Sequence, residues 1–437
     1  MKRTKIRKIF AVVLLMPLLV LGNIAHAGEP AKVIVAWYDL ILELVRHTPT
    51  YSPPVASRAF AYLGVATHEA IASGRADGES LAGQINGLTA LPRRESGKAY
   101  DDAVVVYAAV SLTTQNFFGN TGPTGERAMK AMLRKQEKEL FQGVAPDVIE
   151  RSKAYGAVIA GHVLSWSESD GGAVIENMGF PLQYDLIEGK SHWVPTSAIQ
   201  QQQAPLLPNW GKNRTFAMPS RSSCPLPPPP EYSEEPTSQF YLEAKDVYDT
   251  SKSLTEEQEV IARFWSDDPM MSPTPPGHWI YIALRLLEDE RADAARAADV
   301  LARLGIAIAD GFIGCWDSKY QYDLLRPITY IRRTMDPKWN TLLITPPFPE
   351  YPSGHSSQSG AAEVVMASLF GESFAFVDAT HERDGIKPRK FASFRAAAEE
   401  AAISRLYGGI HFRAAIERGL EQGRCIGKHA AALKTKR

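Results

Sequence analysis

The stretch YPSGHSSQSGAAEVVMASLF, residues 351–370, is where the reading of this chain's fold begins. Pro352-Ser353-Gly354-His355 runs straight into an apolar helical pattern from Ser356 to Phe370, which places Ser353, Gly354 and His355 at a helix N-terminus. Unpaired N–H groups and the positive end of the helix dipole make such a place an anion site, and a glycine lets backbone approach closely. An ordinary turn capped by Ser353 uses the same residues, so the block decides nothing about function alone.

Outward from this helix the same periodicity recurs near 31–46, 55–73, 98–117, 124–141, 146–168, 237–249, 256–267, 278–325, 391–406 and 412–433, and strand-like alternation is scarce. The expected fold class is all-α, in two helical bundle halves. A stretch from about Gly171 to Pro236, with Gln200–Gln203 and Pro227–Pro230, cannot continue a helix. The expected organisation is a helical half over 28–170, a linker or wrapping loop over 171–236, and a bundle over 237–437 that carries the oxyanion site. Thr255 followed by Gln258 reads as a capping box.

Residues 1–27 read as a cleaved export signal: Lys2, Arg3, Lys5, Arg7 and Lys8, an apolar run from Ile9 to Leu21, then Ala25-His26-Ala27. Removing it moves the formal net charge from −1 to −6, which gives no reason to expect a nucleic-acid partner. No later apolar run reaches membrane-spanning length, so an exported chain without a membrane span, periplasmic or secreted, is expected. Cys224, Cys315 and Cys425 allow one disulfide in three possible pairings. No CxxC, CxxCH or HExxH pattern is present, which lowers the expectation of zinc or haem chemistry.

Two further blocks flank the first. Lys319 and Arg326-Pro327 are spaced so that one helix would present both cations on one face, with Pro327 ending it. Ser404-Arg405 closes a helix, Gly408-Gly409 permits a sharp turn, and His411 opens the last helix. A lysine, two arginines, a serine, a glycine amide and two histidines together suit a tetrahedral oxyanion such as phosphate or vanadate.

Lys-x6-Arg-Pro, Pro-Ser-Gly-His and Ser-Arg-x5-His, separated by 24 and 48 residues, resemble the signature of the superfamily of type 2 phosphatidic acid phosphatases, bacterial acid phosphatases and vanadium-dependent haloperoxidases. Trp316, and Phe348 within Pro346-Pro347-Phe348-Pro349-Glu350-Tyr351-Pro352, resemble the chloroperoxidase version of the block. The long N-terminal helical part also fits that branch.

The resemblance implies a vanadate cofactor with His411 as its axial ligand and Lys319, Arg326, Ser353, the Gly354 amide and Arg405 on its oxygens. His355 would act as acid and base, Lys319 would polarise bound peroxide, and Trp316 and Phe348 would line a halide pocket. Hydrogen peroxide, a halide and a small organic acceptor would be its partners. The alternative on the same residues is an exported acid phosphatase that needs no vanadate and hydrolyses phosphomonoesters through a phosphohistidine at His411. A third reading is a non-catalytic anion-binding or assembly protein.

One departure stands out. The family commonly has an aspartate four residues after the second histidine, and here Ala415 stands there, with Glu417, Asp310 or a carbonyl as candidate substitutes. Other polar features have blander readings. His68-Glu69 and His278 are expected as hydrogen-bonded core residues, His381-Glu382-Arg383-Asp384 as a solvated loop, and Glu288-Asp289-Glu290 as an exposed helix face.

Overall fold

The computed structural model describes residues 29–197 and 203–437; residues 1–27, over which an export signal is expected, lie outside them. Five helices come first: α1 (Glu29–Arg46), α2 (Pro53–Ala72), α3 (Asp102–Phe117), α4 (Gly122–Leu140) and α5 (Pro146–Ser167). After a long irregular segment follow α6 (Gln239–Lys252), α7 (Glu256–Phe264), α8 (Thr274–Asp289), α9 (Ala294–Tyr322), α10 (Pro327–Thr334), α11 (Gly354–Phe370), α12 (Phe394–Tyr407) and α13 (Arg413–Ala431). The protein is all-α apart from a small antiparallel pair, β1 (Phe376–Asp378) with β2 (Arg389–Phe391). Among the described residues no helix is long and apolar enough to cross a membrane.

The long helix α9 is the axis of the molecule and packs on α2, α11 and α13. It meets α2 through facing glycines: a Cβ on Gly64 would lie 2.8 Å from Ala302 Cα, and one on Gly305 would lie 2.8 Å from the Phe60 carbonyl oxygen. The buried apolar residues of the early and late helices form one contiguous cluster from Val33 to Leu433. The irregular segment is tied to the last helix by a disulfide, Cys224–Cys425, which closes a separation of 201 residues. Of the three pairings the sequence allowed, this is the one formed, and Cys315 stays a buried thiol.

Helix α13 carries Gly419, Gly423 and Gly427 on one face, four residues apart. That stripe lets it seat against the start of α11, where a Cβ on Gly423 would stand only 2.1 Å from the Ser357 carbonyl oxygen. The Ser353 N–H donates to the Ala415 carbonyl at 3.0 Å, which fixes the two helix N-termini side by side.

Three expectations from the sequence need correction. The pattern over 278–325 is not one helix: it breaks after Asp289, and α9 restarts with Asp293 as N-cap, its carboxylate accepting from the Arg296 N–H at 2.8 Å. Pro327 does not end the helix carrying Arg326 but begins α10, since a proline ring is pre-set for the first helical position. Lys319 and Arg326 therefore lie on different elements, divided by Asp323 in the left-handed region at φ 47°. Finally, His381 is not solvated: it is 4 % exposed, because the Asp267 and Asp384 carboxylates take its two ring nitrogens. The Thr255–Gln258 capping box, the exposed Glu288–Glu290 run, and buried His68 and Glu69 are as expected, with His68 Nε2 facing the Glu79 carbonyl and Glu69 accepting from the Leu81 N–H.

Gly423→Ala is expected to destabilise the protein by about 2–3 kcal/mol, because backbone on both sides must move to admit the methyl group. Gly161→Ala on α5, where an added Cβ meets nothing within 4 Å, is expected to stabilise by about 0.5–1 kcal/mol. Thermal unfolding of the two variants beside the parent checks both signs.

Candidate active site

Lys319 lies in the last turn of α9 and is fully buried. Its ammonium donates to the carbonyls of Pro349 and Glu350, each at 2.9 Å, and of Pro352. All three donors are thus spent on shaping the strand that leads into Ser353-Gly354-His355, and the lysine acts on its surroundings as a charge. Burial pushes it down to about 7, with the positive charge of Arg326 adding to the fall.

Arg326, the N-cap residue of α10, donates through Nε to the Phe348 carbonyl at 2.8 Å and through Nη1 to the Ile410 carbonyl at 3.0 Å. Nη1 is also 3.1 Å from His411 Nε2. A guanidinium has no lone pair to offer, so His411 Nε2 must be the acceptor and the ring proton must sit on Nδ1. There it meets Glu350, whose Oε1 is 2.8 Å from Nδ1 and 2.9 Å from the Phe412 backbone nitrogen. Burial, then the charges of Arg326 and Lys319, hold His411 well below the ordinary histidine range. Burial pushes Glu350 up to about 8, against the pull of the same two cations.

Glu350 therefore fills the place that Ala415 leaves without an acid, and neither Glu417 nor Asp310 does. Glu417 is exposed, and Asp310 accepts from the N–H groups of Phe216, Ala217 and Met218 at 2.6–2.8 Å. The signal for Glu350 was an acid inside an otherwise apolar run, Pro346 to Pro352.

On the other side, Arg405 in the last turn of α12 donates through Nη1 to the Trp265 carbonyl at 2.7 Å. That carbonyl comes from outside all three sequence blocks, and nothing in the local pattern marks it. Ser353 caps α11, its hydroxyl accepting from the Ser356 N–H at 3.4 Å. A Cβ on Gly354 would meet only Trp316 and Phe312, at the ordinary contact distances of 3.6 and 3.8 Å. Packing by protein atoms does not demand a glycine there, so what it leaves is space. His355 is the least buried cage residue; desolvation and the charge of Arg405 keep its ring neutral. Trp316 and Phe348 form a wall, ring centroids 4.9 Å apart, with Lys319 Nζ 5.2 Å and the Arg326 guanidinium 4.9 Å from the Phe348 ring.

The three sequence blocks thus converge. Four buried polar atoms among these residues have no partner: Arg326 Nη2, Arg405 Nε, His355 Nε2 and Glu350 Oε2. Two of the four are guanidinium nitrogens, and a buried donor without an acceptor costs about 1–3 kcal/mol, more if charged. A tetrahedral oxyanion can satisfy the guanidinium donors at once, while the unprotonated His411 Nε2, which here accepts from Arg326 Nη1, can give its lone pair to the central atom instead.

Residues 299–437 match the family model for the second helical-bundle domain of VCPO. A 123-residue stretch is 28% identical to the vanadium chloroperoxidase of Curvularia inaequalis, covering 22% of this chain and only 20% of that protein. The fold is similar along almost its whole length to a solved bacterial vanadium-dependent iodoperoxidase: TM-score 0.84, 38% identity, 93% of this chain and 97% of that one. It also resembles the holo form of a bacterial vanadium-dependent chloroperoxidase, with a TM-score of 0.68 and 16% identity over 88% and 92% of the two chains.

Sulfate keeps its double charge between pH 6 and 9, so its affinity reports the charges of the protein alone. Lys319 is protonated below about 7 and loses its charge above it, while Glu350 is neutral below about 8 and anionic above it. Both changes repel an anion as pH rises. The sulfate dissociation constant is expected to climb by roughly tenfold or more from pH 6 to 9, and Glu350→Gln should flatten the upper part of the curve. Calorimetric titration in a series of buffers measures this; a constant affinity in the parent protein would contradict it.

Proposed function

Since this chain belongs to the vanadium-dependent haloperoxidase family, we propose that it oxidises halide with hydrogen peroxide, with vanadate as its cofactor in the cage and iodide as the preferred halide. The observation that carries this reading is the pair of buried, partnerless guanidinium donors, Arg326 Nη2 and Arg405 Nε, beside the partnerless His355 Nε2 and the unprotonated His411 Nε2. These residues suit vanadate: His411 would be its protein ligand, Arg326 and Arg405 would bind its oxygens together with Ser353 and the Gly354 N–H, and Lys319 would balance its charge. The chemistry that vanadate supplies when bound is Lewis-acid activation of peroxide toward halide.

The chain's own residues do the rest. Glu350 holds the His411 proton on Nδ1 and so keeps Nε2 unprotonated. His355, neutral and with Nε2 free, can take a proton from incoming hydrogen peroxide and return one to the departing oxygen. Lys319 cannot reach an anion oxygen while its donors hold three carbonyls, so its part is electrostatic.

Iodide is favoured by the similarity to a bacterial iodoperoxidase and by the wall beside the cage. An apolar wall of Trp316 and Phe348, with Lys319 and Arg326 against the Phe348 ring, suits a large, weakly hydrated, polarisable anion. We further place the protein outside the cytoplasm, periplasmic or secreted, a reading supported by its disulfide.

After loading with orthovanadate, the protein should form triiodide from iodide and peroxide, with much slower halogenation of a phenol dye in bromide or chloride. Arg405→Ala and His411→Ala should each lower kcat/KM by about a hundredfold or more. Hydrolysis of an aryl phosphate that vanadate merely inhibits, without oxidation of any halide, would instead assign the cage to phosphomonoesters and a phosphohistidine at His411.

A further inference from the structure

Away from the cage, two imidazoles and a carboxylate converge in the interior. Asp267 follows α7, His278 lies on α8, and His381 follows β1. They are 3 %, 0 % and 4 % exposed. His278 Nδ1 is 2.9 and 3.0 Å from the two Asp267 carboxylate oxygens, and His381 Nε2 is 3.2 Å from Oδ1. One ligand atom from each residue lies within 4.8 Å of the others, and the two rings stand nearly perpendicular, at 81°.

The opposite nitrogen of each imidazole is also held by a carboxylate. His278 Nε2 is 2.7 Å from Asp378 Oδ2, and His381 Nδ1 is 3.3 Å from Asp384 Oδ2. These outer carboxylates are anchored in turn, Asp378 by the N–H and hydroxyl of Thr380, and Asp384 by Arg46. Backing of this kind from outside the cluster orients metal-ligating histidines and fixes which nitrogen faces the metal.

We propose that Asp267, His278 and His381 bind a divalent transition-metal cation, with zinc the natural occupant in an exported protein. Metal–nitrogen and metal–oxygen bonds of about 2.0–2.2 Å put neighbouring ligand atoms roughly 3.0–3.5 Å apart. The separations of 2.9 and 3.2 Å are close to that spacing. Two imidazoles and one carboxylate are a donor set that suits zinc, iron(II) or manganese(II), and leave positions open for water.

The ion would be structural for the cage. Trp265 stacks on His278, centroids 4.5 Å apart at 17°, and its carbonyl receives Arg405. A metal on His278 and Asp267 clamps the backbone that holds one of the two guanidinium groups. The sequence pointed away from this: His278 read as a packed core residue and His381 as part of a solvated loop, because Asp267, His278 and His381 share no local spacing.

The test uses the untagged chain freed of metals with dipicolinate, in buffer without phosphate or vanadate, so it does not depend on haloperoxidase activity. After dialysis against zinc and then zinc-free buffer, mass spectrometry should find about one zinc per chain, and the melting temperature should rise by about 5 °C or more. Cobalt(II) in its place should give visible d–d bands of a nitrogen- and oxygen-ligated ion. His381→Gln should lose most of this binding, and Asp378→Asn should weaken it about 10–100-fold. If His381→Gln does not fold, the cobalt spectrum of the parent decides. No zinc above the buffer level, no cobalt band and an unmoved melting temperature in the parent would overturn the proposal and leave an ion-pair network. So would equal zinc content in the parent and a folded His381→Gln protein.

Discussion

Lys319, Arg326 and Arg405 are sealed in one small region of the interior, where the carboxylate of Glu350 is bound to His411. Like charges at such range repel strongly in a low-dielectric interior, and each gives up hydration to be there. A fold tolerates this arrangement only where something compensates it. Carbonyl oxygens do part of the work: Pro349, Glu350, Pro352, Phe348, Ile410 and Trp265 each accept from one of the three cations. The remaining donors point at no protein atom, and the uncompensated charge is what calls for an anion.

The architecture meets that demand by bringing three helix ends together. The glycine stripe of α13 lets it lie against α11, so that His411 arrives beside Ser353-Gly354-His355, and the Ser353 N–H to Ala415 carbonyl bond closes the junction. The left-handed turn at Asp323 then lets the chain leave α9 after Lys319 and return with Arg326 from another direction. Had one helix carried both, as their spacing suggested, two cations would have entered from the same side. The path through Asp323 brings both to the Phe348 ring from separate elements instead.

Much of this was legible in the sequence, and the gaps have physical causes. Helical periodicity gave the class because most helices bury one face, and the three blocks gave the cage because the needed side-chain types are rare in such density. A proline that can end one helix can equally begin the next, so Pro327 alone could not say where Arg326 sits. Glu350 was visible as a letter but not as a partner of His411, because a contact across 61 positions has no local trace. The same holds for the Trp265 carbonyl, which any residue could have supplied, and for Asp267, His278 and His381, whose spacing follows no metal-ligand pattern.

Glu350 bears on the choice between the two chemistries the cage can host. Both need an unprotonated His411 Nε2, and the proton shared between Nδ1 and Glu350 provides it. They differ in how much basicity they ask for. Attack on phosphorus requires a strong nucleophile, whereas ligation of a metal centre requires only a directed lone pair. Burial and three nearby cations hold His411 well below its usual range, and Glu350, itself pushed up to about 8, is a weaker electrostatic support at neutral pH than an ionised aspartate. A histidine weakened as a base but fixed in direction is better suited to holding vanadate than to attacking a phosphate ester.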